Sequence, residues 1–159
     1  MGLDATVYCN CFESGRLREP SPYPTLISIA PDGSLDCQSE DLDTLLEFDQ
    51  WLLNRACEHK NGILLHHRIG NMAQVILLRD ELSHEAEKFP VMLRKVLYSG
   101  THAGDYLSLD EVRDLQGALS HLETFACSNE KNREDVEWFR QQMKELTEVA
   151  LNIGKPISF

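Results

Sequence analysis

The chain has 159 residues, 42% of them hydrophobic and 26% charged, enough for one ordinary domain that buries roughly 70% of the surface its unfolded form exposes and needs no covalent staple. Acidic residues outnumber basic ones 26 to 15, a formal charge of −11, which repels phosphate backbones and anionic lipid heads and makes nucleic acid and membranes poor partners. The same excess speeds encounter with a basic protein.

Five cysteines at irregular spacing, with no basic segment leading into an apolar one at the start, predict free thiols and a reducing, cytoplasmic setting. Apolar runs such as residues 75–78 are far shorter than the roughly 20 residues that cross a bilayer.

The first predicted element is a half-buried strand. Leu3, Ala5, Val7, Cys9 and Cys11 alternate with Asp4, Thr6, Tyr8 and Asn10, so the two cysteines continue an apolar strand face. Residues 13–24 hold Pro20, Pro22 and Pro24 and read as an extended surface loop. A second strand over 25–30, a turn at Pro31, Asp32 and Gly33, and a short segment ending near Cys37 complete a small sheet.

From Glu40 the period becomes helical: Leu42, Leu45, Leu46, Leu52, Leu53, Ala56 and Cys57 recur, and Phe48 and Trp51 widen the stripe. This helix is expected to be substantially buried and to stop at Asn61 and Gly62. The brief apolar run 63–65 leads into His66, His67, Arg68, Ile69, Gly70 and Asn71, read as a polar loop whose Asn71 caps a helix to about Ser83. Pro90 opens a short helix ending near Tyr98. Residues 99–105 form a turn-rich loop, and Ser108 and Glu111 have capping-box spacing before a stripe of Leu109, Val112, Leu115, Leu119, Leu122 and Phe125, with Gly117 a mild blemish.

The last helix aligns Val136, Phe139, Met143, Leu146, Ala150 and Ile153, and Gly154 with Pro156 stops it. Residues 157–159 can add an edge strand. The expected fold is one helix-dominated α+β domain, about five helices on a small N-terminal antiparallel sheet. Within it, residues 1–38 form the sheet with its proline-rich loop and residues 40–154 the helical part.

Three groups of residues invite a chemical reading. Cys9, Cys11, Cys37, Cys57 and His59 supply ligand types for zinc, but they lack the repeated cysteine pairs of familiar sites, so core packing is the expected role and no metal is assigned. His66 and His67 point apart whether helical or extended, so at most one can face a given site. His102 and Asp105 have the makings of a base and its orienting carboxylate, with Thr101 or Ser99 as a hydroxyl. No nucleophile elbow, P-loop lysine or dinucleotide fingerprint accompanies them, and a helix connector is the expected role. Asp36, Glu40, Asp41 and Asp43 surround one helix start, where they complement its dipole and also offer an acidic face.

The segments 1–4, 97–105 and 154–159 (Gly154, Lys155, Pro156, Ile157, Ser158, Phe159) resemble those of a loose group of small bacterial proteins of unassigned function. With its acidity, thiols and absence of a catalytic signature, the chain also resembles in type the immunity proteins that neutralise antibacterial toxins of Rhs and other polymorphic systems. That resemblance implies a non-enzymatic, cytoplasmic protein without a cofactor, which occludes a cognate toxin domain of basic surface. The expected contacts are His66, His67, Arg68, Asn71, Thr101, His102, Asp105 and Tyr106 in the two polar loops, with Asp41 and Asp43 on the acidic face. The rival readings are a small enzyme, metal-dependent or not, that uses His66 or His67 with His102 and Asp105, and a regulatory subunit of a larger assembly.

Overall fold

A computed structural model describes residues 2–159. The alternating start forms strand β1 (Gly2–Tyr8), with Leu3, Ala5 and Val7 buried and the residues between them half-buried. It pairs antiparallel with β4 (Ile63–Asn71) on one side and β6 (Ile157–Ser158) on the other, and β6 pairs with β5 (Tyr106–Leu107), giving the order β4-β1-β6-β5. Strands β2 (Ile27–Ile29) and β3 (Leu35–Cys37) form a separate hairpin.

The fold is mixed α+β, as expected, but its main sheet is assembled from both ends of the chain. Residues 157–159 supply an interior strand rather than an edge. Ile157 is fully buried, and Ser158 stands opposite both Thr6 and Tyr106. Residues 66–71, expected as a loop, are strand. The period of two was hidden because His67 fills an inward position between Leu65 and Ile69, where a polar side chain breaks the apolar pattern. Its Nε2 meets Glu145 at 2.8 Å, which satisfies it.

Helices α2 (Met72–Leu82), α3 (Leu109–Leu122) and α4 (Arg133–Ile153) cover one face of the sheet, α4 packing on α3 and on β1, β4 and β6. The capping box of Ser108 and Glu111 is present. Gly154 closes α4 at φ 69°, a left-handed conformation that suits glycine. Pro90 begins a short helix whose body, Met92–Val96, is π-helical, closed by the Leu97 N–H on the Met92 carbonyl at 2.7 Å; Met92, Val96 and Leu97 are all buried.

Helix α1 (Leu42–Asn54) departs most from expectation. It ends before Ala56 and Cys57, and it buries only Phe48 and Trp51 fully, in a second small cluster with Cys37 and Ala56 that is separate from the main core. Leu42 is 74% exposed and Leu46 58%. A helix with one buried turn needs only a narrow apolar stripe, and α1 carries a wider one than the little hairpin beneath it can cover.

A buried polar group, Lys155, ties the layers together. Lys155 donates to the Gly33 carbonyl at 2.8 Å and pairs with Glu13, drawing the C-terminus to the early loops. Gly33 has φ 89°, and a Cβ there would meet Pro156 at 2.9 Å. Among the described residues no helix is long and apolar enough to cross a membrane.

Because Ile157 fills an interior strand, Ile157→Ala is expected to cost about 2–5 kcal/mol of unfolding free energy. Leu42→Ala is expected to stay within about 0.5 kcal/mol. Urea unfolding followed by circular dichroism measures both, and equal losses would contradict the placement of these two side chains.

Candidate functional site

The expected contact residues fall in separate places. Adjacent His66 and His67 do point apart. His66 is exposed on the open face of the sheet and shares a 3.0 Å hydrogen bond with Thr6, while His67 turns inward to Glu145. Arg68 lies on the open face 3.8 Å from Asp4. Asn71 is committed to its helix: its side chain accepts from the Gln74 N–H at 3.0 Å, and Gln74 returns the bond.

His102 is a packing residue. Its side chain is 3% exposed, and the ring stacks on Tyr98 at 4.7 Å and meets Phe159 at 4.9 Å. Nε2 donates to the Val96 carbonyl at 2.9 Å. Nδ1 lies 3.4 Å from Asp105 Oδ2 yet makes no hydrogen bond, and Tyr98 donates to that same carboxylate oxygen. Backbone bonds from Gly104 N–H to the Phe159 carbonyl at 2.9 Å, and from Phe159 N–H to the Asp105 carbonyl at 2.8 Å, make this loop a clamp for the chain end. Thr101 is exposed at its tip, and Tyr106 is exposed in β5.

The residues of the enzyme reading are not gathered. His66, Thr6, Ser158 and Tyr106 follow one row across the four strands, so the two histidines on β4 are roughly 14 Å from the strand that follows His102 and Asp105, at three strand spacings. Only His102 and Asp105 of that set meet.

Asp41 and Asp43 stand at the start of α1. Asp41 is the N-cap, accepting from the Thr44 N–H at 2.9 Å and the Thr44 hydroxyl at 2.7 Å, and these bonds hold its carboxyl below its ordinary value. Asp36, Glu40, Asp43, Glu47 and Asp49 are exposed around the same helix, and no lysine or arginine occurs between positions 36 and 54. The exposed Leu42 and Leu46 therefore have acidic and uncharged residues, and no cation, as their neighbours along this stretch of chain. Elsewhere, a shallow cleft of about 680 Å³ between the π-helical turn and α3 gathers Lys88, Arg94, Lys95 and Arg113. Lys88 pairs with Glu85, Lys95 with Glu111 and Arg113 with Asp110, so little basic charge is left for an anion.

The cysteines correct the reading of them as a strand face. β1 ends at Tyr8; Cys9 and Cys11 lie in the turn beyond it, and they meet Cys57 and His59 from the segment after α1. The four ligand atoms lie within 4.8 Å of one another. Cys9 Sγ is 3.8 Å from Cys57 Sγ, while His59 Nδ1 is 3.4 Å from Cys11 Sγ and 3.8 Å from Cys57 Sγ. Burial pushes the Cys9 thiol up to about 12 and raises Cys11 as well. Cys37 is apart from this group, buried in the small core.

One residue that sequence reasoning passed over is Glu81, 3% exposed near the end of α2. Its carboxylate accepts from the Ser128 N–H at 2.7 Å, the Asn129 N–H at 3.2 Å and the Asn132 amide at 2.6 Å, fixing the loop before α4. Burial pushes its pKa up, but the hydrogen bonds outweigh burial and leave it lowered. No sequence signal marked it, since a glutamate on a helix is ordinarily solvated.

No family model, no curated protein and no solved structure matches this chain.

With its folded pKa lowered, Glu81 contributes stability that is fully present above the unfolded carboxylate value and is lost as pH falls through the folded one. Urea midpoints measured from neutral to acid pH are expected to fall in that window. In Glu81→Gln the fall should be shallower, and stability at neutral pH should drop by about 1–3 kcal/mol, because an amide presents a donor to donors. An unchanged acid limb in that variant would remove Glu81 from the account.

Proposed function

We propose that this chain is a binding protein which covers the active site of a basic protein partner, as an immunity protein does to an antibacterial toxin domain, in the cytoplasm. The observation that carries the reading is the outer face of α1, where Leu42 and Leu46 are exposed among Asp41, Asp43 and Glu47. Two leucines on adjacent turns of one exposed helix face offer a partner apolar area to dry on contact, and the carboxylates beside them favour a partner of opposite charge. The geometry serves association in two ways. The charge excess steers a cationic surface in, and the two leucines, one helical turn apart, supply the area that is dried on contact.

This differs from the contact set expected from sequence. Asp41 and Asp43 remain in it, whereas Asn71 and His102 are withdrawn because both are occupied by their own fold. Arg68, Thr101 and Tyr106 are accessible but stand on different strands and loops.

Affinity capture from the native host, followed by reconstitution with the captured protein, tests the proposal. The captured protein should be basic, and its activity should be blocked stoichiometrically by the wild-type chain. Leu46→Asp is expected to weaken binding at least about tenfold, with unfolding unchanged. Asp43→Lys should chiefly slow association, less so at high salt. An inhibited partner that binds both variants as it binds wild type would move the interface off α1. A captured protein whose activity is not blocked would end the inhibitor reading.

A further inference from the structure

We infer that Cys9, Cys11, Cys57 and His59 bind one zinc ion as a closed structural site. With bonds of about 2.3 Å to sulfur and about 2.0 Å to nitrogen, a tetrahedral zinc centre places its ligands about 3.8 Å apart sulfur to sulfur and about 3.5 Å apart sulfur to nitrogen. The protein holds them at 3.8 Å for Cys9 and Cys57, and at 3.4 and 3.8 Å for His59 with Cys11 and Cys57. A set of pairwise thiol hydrogen bonds has no need for all four atoms to converge on one centre, yet they do, within 4.8 Å. The two cysteine sulfurs 3.8 Å apart are well beyond a disulfide bond.

The chemistry of the set also favours zinc. Three soft sulfurs and one imidazole suit zinc over calcium or magnesium, which take oxygen ligands. His59 turns Nδ1 toward the sulfurs, while Nε2, the nitrogen that keeps its proton when Nδ1 binds metal, lies 3.8 Å from the Glu58 carboxylate. A carboxylate on the far side of a ligating histidine orients the ring and raises its basicity. Binding releases the three thiol protons to solvent and leaves a centre of single negative charge. No position is open for a substrate, so the role is structural.

The site's place in the fold gives it work to do. Cys9 and Cys11 follow directly from the main sheet, whereas Cys57 and His59 follow α1, whose own core is limited to Cys37, Phe48, Trp51 and Ala56. So small a cluster holds poorly by itself. A shared ion would fasten it to the sheet beside the backbone bond from Cys9 N–H to the Gly62 carbonyl at 2.7 Å.

Metal analysis of the full chain, purified under reducing conditions without chelator, should find about one zinc per chain. Cobalt(II) alone, titrated into the metal-free chain, should give the visible bands of tetrahedral cobalt with thiolate charge transfer. Cys9→Ser and Cys57→Ser should each weaken zinc binding at least about tenfold. Should those variants fail to fold, His59→Cys is expected to retain metal and shift the cobalt spectrum toward a four-thiolate centre. Hydrogen exchange should show that chelation loosens α1 and residues 9–17 while α3 and α4 stay protected. Sub-stoichiometric zinc together with a cobalt spectrum lacking tetrahedral bands overturns the site. So does an intact mass showing Cys9 and Cys57 oxidised to a disulfide, and unchanged exchange in α1 overturns its role as a fastening.

Discussion

Strand β1 is hydrogen-bonded along both edges, to β4 and to β6, and its inward side chains Leu3, Ala5 and Val7 lie at the centre of the main core. An unpaired strand edge under a helical layer would bury backbone donors and acceptors without partners, a cost comparable to several lost hydrogen bonds. The chain meets that requirement by bringing its last residues back between β1 and β5. Much else follows from it. Lys155 must be buried against Gly33 and Glu13, and the 99–105 loop must close on Phe159 through His102 and two backbone bonds.

Closing the main sheet in this way leaves the segment between β1 and β4 to build a smaller core of its own. The β2–β3 hairpin and α1 share four buried side chains, and the joint between this unit and the sheet is where the three cysteines and His59 converge. The proposed zinc ion and the proposed binding face are thus physically related: the ion would hold in place a helix whose outer side is left unburied. A helix anchored by Phe48 and Trp51 on one side is free to display Leu42 and Leu46 on the other.

Polar residues that look chemical in a sequence are here mostly engaged in holding the fold. His67 is bound to Glu145, His102 to the Val96 carbonyl and Asn71 to Gln74, and the buried Glu81, which no sequence signal marked, is bound to three donors before α4. His67, His102 and Glu81 lie where a buried or half-buried polar group must be satisfied, which is also where a catalytic group would be expected to look perturbed, while the exposed Asn71 is held as a helix cap. The exposed face of α1 differs because its leucines are apolar and largely uncovered by the described residues.

Local periodicity alone determined a good deal. The inward face of β1, the cap at Asn71, the capping box at Ser108, the stripe and stop of α4, and the α+β class were all readable because each depends on residues within a few positions of one another. The acidic character of the start of α1 was readable for the same reason. Tertiary structure decided the rest. It set β6 in the interior, made a strand of residues 66–71, bared Leu42 and Leu46, and brought Cys9 to Cys57 across 48 positions. Periodicity reports which side of an element avoids water, but not whether enough of the chain folds back to cover that side. Nor does it show which distant turns meet, since strand pairing and loop closure are settled only when the whole chain is packed. Composition and charge led to the expectation of a basic partner, and the packing of α1 is what the proposed binding face rests on.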